Sequence, residues 1–318
     1  MKTKMPPSEP NVMNSKPRLM GQLLASIAAL TLAACLLVVP ATRADTIYVA
    51  NSGNNTIEKF TPGGVGSLFA STGPSAPLGL AFDAAGNLYA TLVNNTIEKF
   101  TPGGSGSVFA STGLNAPYAL AFDSSGNLYA ASANGNSIEK YSPGGTDLGV
   151  FASTTHPNGL VFDTAGNLYA ANEYSGTITK FTPGGVGSVF ATTDSAGPRG
   201  LTFDSAGNLF ASRSDNTIEK FTPAGGIGVI FANTGLDAPY GVEFDSAGNL
   251  YAANWGNSTI EKYTPGGVGS LFANSGLSSP IYLAIVPEPS TSAFFGVAMT
   301  LLVIGRLQGR TAERRSRS

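Results

Sequence analysis

One run of residues recurs along this chain. "FDAAGNLYATLVNNTIEKFTPGG", starting at Phe82, returns as "FDSSGNLYAASANGNSIEKYSPGG", starting at Phe122. The Phe-Asp pair that opens it falls at Phe82-Asp83, Phe122-Asp123, Phe162-Asp163, Phe203-Asp204 and Phe244-Asp245, so the spacings are 40, 40, 41 and 41. A fixed period of this length dictates a repeat architecture, in which each unit buries its faces against its neighbours. With charged residues at 12% and 40 glycines in 318 residues, the chain is too poor in charge for a long helical or coiled-coil protein.

Each unit holds four short apolar stretches separated by turn signals, as in "GLAFD", "NLYAT", "TIEKF" and "GSVFAST". Their length and their β-branched and aromatic content predict strands. In "FDAAGNLY" the Asp83 carboxylate can accept bonds from the backbone of its own turn, and Gly86 can take a positive φ. In "TPGG", Pro102 presets the first turn angle and Gly103 supplies the second. The Glu-Lys pair of "IEKF" reads as a solvated surface pair.

Four antiparallel strands per unit, repeated radially, predict an all-β fold, a β-propeller. Second-strand patterns start at Ile47, Asn87, Asn127, Asn167, Asn208 and Asn249, and third-strand patterns at Ile57, Ile97, Ile138, Ile178, Ile218 and Ile260. First strands open at Gly79, Ala119, Gly159, Gly200 and Gly241, and finally at Tyr282. All three counts are six, yet the chain enters on a second strand and leaves on a first. A six-bladed ring closed by N- and C-terminal strands in one composite blade satisfies both facts, and removes the open edges that invite aggregation.

"APYALAFDSSGNLYAASANGNSIEKYSPGG" resembles the NHL repeat: Pro, a small residue, an apolar strand ending in Asp, Gly-Asn, an apolar pair, an Asn-rich turn, then Ile-x-x-Phe or Tyr. The resemblance covers residues 45–286 and implies a propeller whose relatives mostly bind and sometimes catalyse, so the fold does not settle function.

Both ends read as addresses. Lys2, Lys4, Lys16 and Arg18 precede an apolar run from Leu19 to Val39, then "PATRADT". This predicts a signal peptide over 1–44 with cleavage after Ala44; an uncleaved anchor is the bland alternative, and "LAAC", ending at Cys35, resembles a lipoprotein box. At the other end Pro287, Glu288 and Pro289 precede an apolar stretch from Ala293 to Gly305, then Arg306, Arg310, Arg314, Arg315 and Arg317. Residues 287–318 resemble the PEP-CTERM sorting signal of Gram-negative bacteria. That resemblance implies an exosortase as partner alongside the secretion machinery, a transient membrane segment, and delivery to the cell surface or extracellular matrix. The stretch is short for a stable span, and both basic ends suit the cytoplasmic side.

Residues 45–286 carry 17 acids against 8 Lys or Arg, about −9, which argues against nucleic acid as a partner. Function, if localised, should lie where the blades differ. Loops before first strands carry Tyr118, His156, Asn158, Arg199 and Tyr240; loops between second and third strands carry Glu173, Tyr174, Arg213, Asp215 and Trp255. These loops should share one face, and aromatics with Arg are what binding surfaces are made from. Glu243 stands in a first strand where other units have Ala81, Ala121, Val161 and Thr202, and is expected at the channel.

His156 is the only histidine and Cys35 the only cysteine, which removes clustered His or Cys as zinc ligands or as a triad. No cofactor or metal is expected. The alternative function, a calcium-dependent lactonase or esterase, would draw oxygens from Glu243, Glu173, Asn172 and Asn254. The leading expectation is an exported, non-catalytic binding or scaffold propeller, its ligand a polysaccharide or a surface protein.

Overall fold

A computed structural model describes residues 45–193 and 196–287. The expected signal peptide, its cleavage after Ala44, and Glu288, Pro289 and the tail lie outside these residues. The described chain is all strand and turn, and none of its elements is a helix able to cross a membrane.

Six four-stranded antiparallel sheets form the blades. Blade 1 is composite: β24 (Pro280–Pro287), β1 (Asp45–Asn51), β2 (Thr56–Phe60) and β3 (Gly66–Ser71). Blade 2 holds β4 (Pro77–Phe82), β5 (Leu88–Leu92), β6 (Thr96–Phe100) and β7 (Gly106–Ala110). Blade 3 holds β8 (Pro117–Phe122), β9 (Leu128–Ser132), β10 (Ser137–Tyr141) and β11 (Asp147–Ser153). Blade 4 holds β12 (Pro157–Phe162), β13 (Leu168–Asn172), β14 (Thr177–Phe181) and β15 (Gly187–Thr192). Blade 5 holds β16 (Pro198–Phe203), β17 (Leu209–Arg213), β18 (Ile218–Phe221) and β19 (Val229–Ala232). Blade 6 holds β20 (Pro239–Phe244), β21 (Leu250–Asn254), β22 (Thr259–Tyr263) and β23 (Gly269–Ala273). The first strands touch in turn, β4 on β8, β8 on β12, β12 on β16, β16 on β20, β20 on β24 and β24 on β4, so the ring is closed. Its closure is the pairing of β24 with β1, Asp45 opposite Pro287, Ile47 opposite Ile285 and Val49 opposite Leu283. Pro287 of the expected sorting motif is therefore the last residue of the closing strand.

Burial falls from axis to rim. Second strands such as β13 ("LYAAN") are buried at every position, because a neighbouring blade covers each face. Third strands bury their Ile and their closing Phe or Tyr, and fourth strands expose an aliphatic residue, Leu68, Val108, Val189 and Leu271 among them, ahead of a half-buried Phe. Rings at the blade junctions meet edge to face: Tyr169 lies 5.0 Å from Phe190 and 5.1 Å from Phe203, and the same triad recurs around the ring.

The repeated Asp is spent on its turn. Asp163 Oδ1 accepts from the Ala165 and Asn167 backbone N–H groups, and Oδ2 accepts from the Asn167 amide and, at 3.3 Å, the Tyr169 hydroxyl. Asp83, Asp123, Asp204 and Asp245 repeat the two backbone bonds and the Asn amide bond. The "IEK" lysine does not behave as a solvated partner of its neighbouring Glu. Lys99 stands across from Tyr89 in the β5–β6 register, its ammonium 5.1 Å from the ring centroid and 3.5 Å from Asp83 Oδ2. Adjacent strand residues point to opposite faces, so Glu and Lys in "IEK" cannot meet.

Candidate functional site

First strands run from the face that carries the 2–3 loops towards the face that carries the Asp turns. The loops before the first strands and the 2–3 loops therefore share one face, as expected. Backbone bonds tie the two kinds of loop together: the Glu173 N–H donates to His156 O, and the Trp255 N–H to Ala238 O. Asn136 of blade 3 reaches forward to accept the His156 N–H at 2.8 Å, and Asn216 does the same for Ala238 in blade 6. The Asn-rich turn of one blade thus sets the entry of the next. His156 and Ala238 sit at positive φ, 46° each.

The second residue of each first strand stands at the mouth of the bore: Leu78, Tyr118, Asn158, Arg199, Tyr240 and Ile281. One step deeper lie Gly79, Ala119, Gly159, Gly200 and Gly241. A Cβ on Gly79, Gly159 or Gly200 would collide with the carbonyl oxygen of Tyr118, Arg199 or Tyr240 on the next blade. Glycine there is a condition for the strands to approach one another. The sixth position of this level is Tyr282, whose side chain crosses the bore. Its hydroxyl donates to Asn158 O at 3.0 Å on the opposite blade, with Asn158 Oδ1 at 3.3 Å and Arg199 O at 3.4 Å. The bore is plugged at this level, not open and water-filled along its length. Burial, reinforced by Glu173, raises the Tyr282 phenol well above its ordinary value.

Above this floor the structure gathers five of the expected residues. Glu173 Oε1 accepts from Arg199 Nε at 2.8 Å, and its Oε2 accepts from Asn158 Nδ2 at 2.8 Å. The Arg199 guanidinium lies 4.3 Å from the centroid of the Tyr240 ring, while its Nη1 is buried without a protein partner. Tyr118 and Tyr240 complete the wall; burial first, then nearby Tyr240 and Glu173, raises the Tyr118 phenol. Beside them the His156 ring stacks on Tyr174 at 3.7 Å, leaving Nδ1 buried without a partner. Tyr174 itself is 74% exposed.

Three expected residues are placed elsewhere. Arg213 is buried, 3.2 Å from Glu219 and 3.4 Å from Asp215, and donates to Thr193 O at 3.1 Å; it braces its own blade and the adjoining loop. Trp255 occupies the blade 6 position equivalent to Glu173 and is 46% exposed on the same face. Glu243 is half-buried on β20, hydrogen-bonded with Thr202, and burial pushes its carboxyl up to about 7. It does not join the mouth cluster.

The calcium set does not assemble. Asn172 Oδ1 is taken by Thr154 and its amide by Thr177 and Thr179. Asn254 is bonded to Asp237, Gly235 and Thr259, and Glu173 to Arg199 and Asn158. Among the described residues no group of three or more His, Cys, Asp or Glu side chains is placed to hold a metal.

Sequence reasoning missed Tyr282. Its signal was present: it is the single large residue at a position otherwise Gly or Ala.

No protein-family model matches the chain, and no curated protein does. Solved structures share the fold. A chain of the nidogen/laminin complex aligns with TM-score 0.68 at 22% identity, over 76% of this chain and 98% of that one. Virginiamycin B lyase from Staphylococcus aureus aligns with TM-score 0.59 at 19% identity, over 74% and 84%. A gluconolactonase from Xanthomonas campestris aligns with TM-score 0.58 at 22% identity, over 66% and 79%. At these identities the likeness establishes the propeller, not an activity.

Proposed function

We propose that this chain is an exported, non-catalytic propeller that binds a surface or matrix protein through the channel mouth. Export and processing follow from its ends: a signal peptide before Asp45, and a Pro287-Glu288-Pro289 tail read by an exosortase at the membrane. The observation that carries the binding reading is the Glu173–Arg199–Tyr240 assembly, set beside Tyr118 and Asn158 over the Tyr282 floor. It has the composition of an interaction hot spot, with a half-buried Arg held rigid between a carboxylate and a ring, and aromatic neighbours around it. Exposed Tyr174 and Trp255 extend the same face. A propeller neighbour found within a protein–protein complex is consistent with this use.

Acid–base or nucleophilic chemistry at the mouth finds little support. The Glu173 carboxylate is engaged on both oxygens, and the only histidine is stacked against Tyr174.

The test is binding of the full-length protein, produced in a Gram-negative host with an exosortase, to the surface fraction of that host. Wild type should be recovered outside the inner membrane and should bind, and Arg199→Ala with Tyr118→Ala should cut binding at least tenfold. Equal binding by the double variant would refute the mouth as the site. Retention in the cytoplasm would refute the export reading.

A further inference from the structure

Three hollows lie on the other face, between successive Asp turns. Grooves between blades 3 and 4, blades 4 and 5, and blades 5 and 6 have volumes of about 610, 480 and 320 Å³. They are built alike. In the middle one the edge-to-face rings of Tyr169, Phe190 and Phe203 form the floor, and Lys180 lies over Tyr169. In the groove between blades 3 and 4 the same parts are Tyr129, Phe151, Phe162 and Lys140; between blades 5 and 6 they are Phe210, Phe231, Phe244 and Lys220. Exposed hydroxyls stand on the walls: Ser124 and Thr164 in the first, Thr164 and Ser205 in the second, Ser205 and Ser246 in the third.

We propose that these inter-blade grooves are a multivalent site for a neutral polysaccharide, distinct from the channel mouth. Three observations select that ligand. The linings combine aromatic carbon with donors and acceptors on small hydroxyl side chains, which suits a molecule bearing C–H faces and many hydroxyls. Local charge is nearly cancelled, Lys180 lying 3.6 Å from Asp163 and Lys220 lying 3.5 Å from Asp204, while the propeller's 17 acids against 8 Lys or Arg repel a polyanion. The sites repeat over three successive blade junctions, and a polymer of like units is the ligand that gains from that. Linked weak sites raise avidity by about 10²–10⁴ without a new contact.

The test uses full-length protein in mild detergent and affinity electrophoresis through gels containing a neutral α-glucan, a neutral β-glucan, a galactomannan or, for comparison, alginate. At least one neutral polymer should retard the protein, with a Kd at least about 100-fold below that of its free monosaccharide. Ser124→Trp, Thr164→Trp and Ser205→Trp together should fill the grooves and weaken binding more than tenfold, each alone less than threefold. The corresponding triple Glu variant, which adds less bulk than Trp and a negative charge, should also weaken it and serves if the Trp set does not fold. Arg199→Ala should bind polymer as wild type does, so failure of the mouth reading and failure of this one are separable. No retardation by any neutral polymer, preference for alginate, or unchanged binding by a folded triple variant would overturn the proposal.

Discussion

The Tyr282 hydroxyl donates across the bore to the carbonyl oxygen of Asn158, 3.0 Å away on the opposite blade. The closing strand is thus bonded to β1 beside it and to β12 facing it. Asn158 in turn holds Glu173, which holds Arg199, so ring closure and the mouth cluster are parts of one bonded chain.

Removing this link should cost stability in two steps. Tyr282→Phe leaves the Asn158 carbonyl without its donor and should destabilise by about 1–2 kcal/mol. Tyr282→Gly, which restores the residue common at this level, also empties the bore and should cost about 3–5 kcal/mol. Urea unfolding of the two variants checks the order.

The two arginines should separate structure from binding. Arg213 and Glu219 are each under 10% exposed, so Arg213→Ala breaks a buried ion pair and should cost about 3–5 kcal/mol while leaving partner binding intact in the folded fraction. Arg199 is more open, and Arg199→Ala should cost about 1–2 kcal/mol and abolish most partner binding. Thermal unfolding together with the surface-binding assay distinguishes them.

Acid should unfold the propeller through its turns. Burial alone would raise the Asp163 carboxyl, but hydrogen bonds from the Asn167 side chain and backbone, with Lys180, outweigh it and hold the group below its usual value. Asp83, Asp123 and Asp204 are likewise lowered, burial being outweighed by bonds from Asn87, Asn127 and Asn208. A lowered carboxyl stabilises the fold above its unfolded pKa and loses that contribution as pH falls through the folded value. The melting temperature should therefore drop steeply below about pH 4, and Asp163→Ala should flatten the drop while lowering stability at pH 7 by about 1–2 kcal/mol.

Glu243 acts in the opposite sense. Burial, partly offset by Thr202, raises its carboxyl from 4.5 to about 7, so the folded state keeps a proton that the unfolded chain gives up. Stability should fall as pH rises between those two values and level off above them. Glu243→Gln should remove that slope and stabilise the protein at pH 8 by on the order of 2 kcal/mol; melting curves from pH 4 to pH 9 read both effects.

The ring was legible because its evidence is periodic. Five Phe-Asp markers, three matched strand counts and an offset entry and exit fix blade number and closure together. The Asp turns were legible because the chemistry is local, all of it within six residues of Asp163. What was hidden depends on distance across the ring. Tyr282 occupies a visible repeat position, but its reach to Asn158 requires the glycine level that draws the first strands together. Arg199 and Arg213 look alike on loops of one face. Only their partners differ, Glu173 and Tyr240 for one, Glu219 and Thr193 for the other. Lys99 was read with its sequence neighbour Glu98, whereas its partners, Tyr89 and Asp83, lie on the adjacent strand and in the turn.

Hydrogen exchange at the closing strands tests the circle itself. The paired amides of β1 and β24, Ile47 and Val49 opposite Ile285 and Leu283, should be protected to within about tenfold of the Tyr169 and Ala170 amides inside blade 4. Exchange about a thousandfold faster at β1 and β24 than at β13 would mean that the two ends do not pair, and would contradict the closed propeller on which the plug and the mouth both stand.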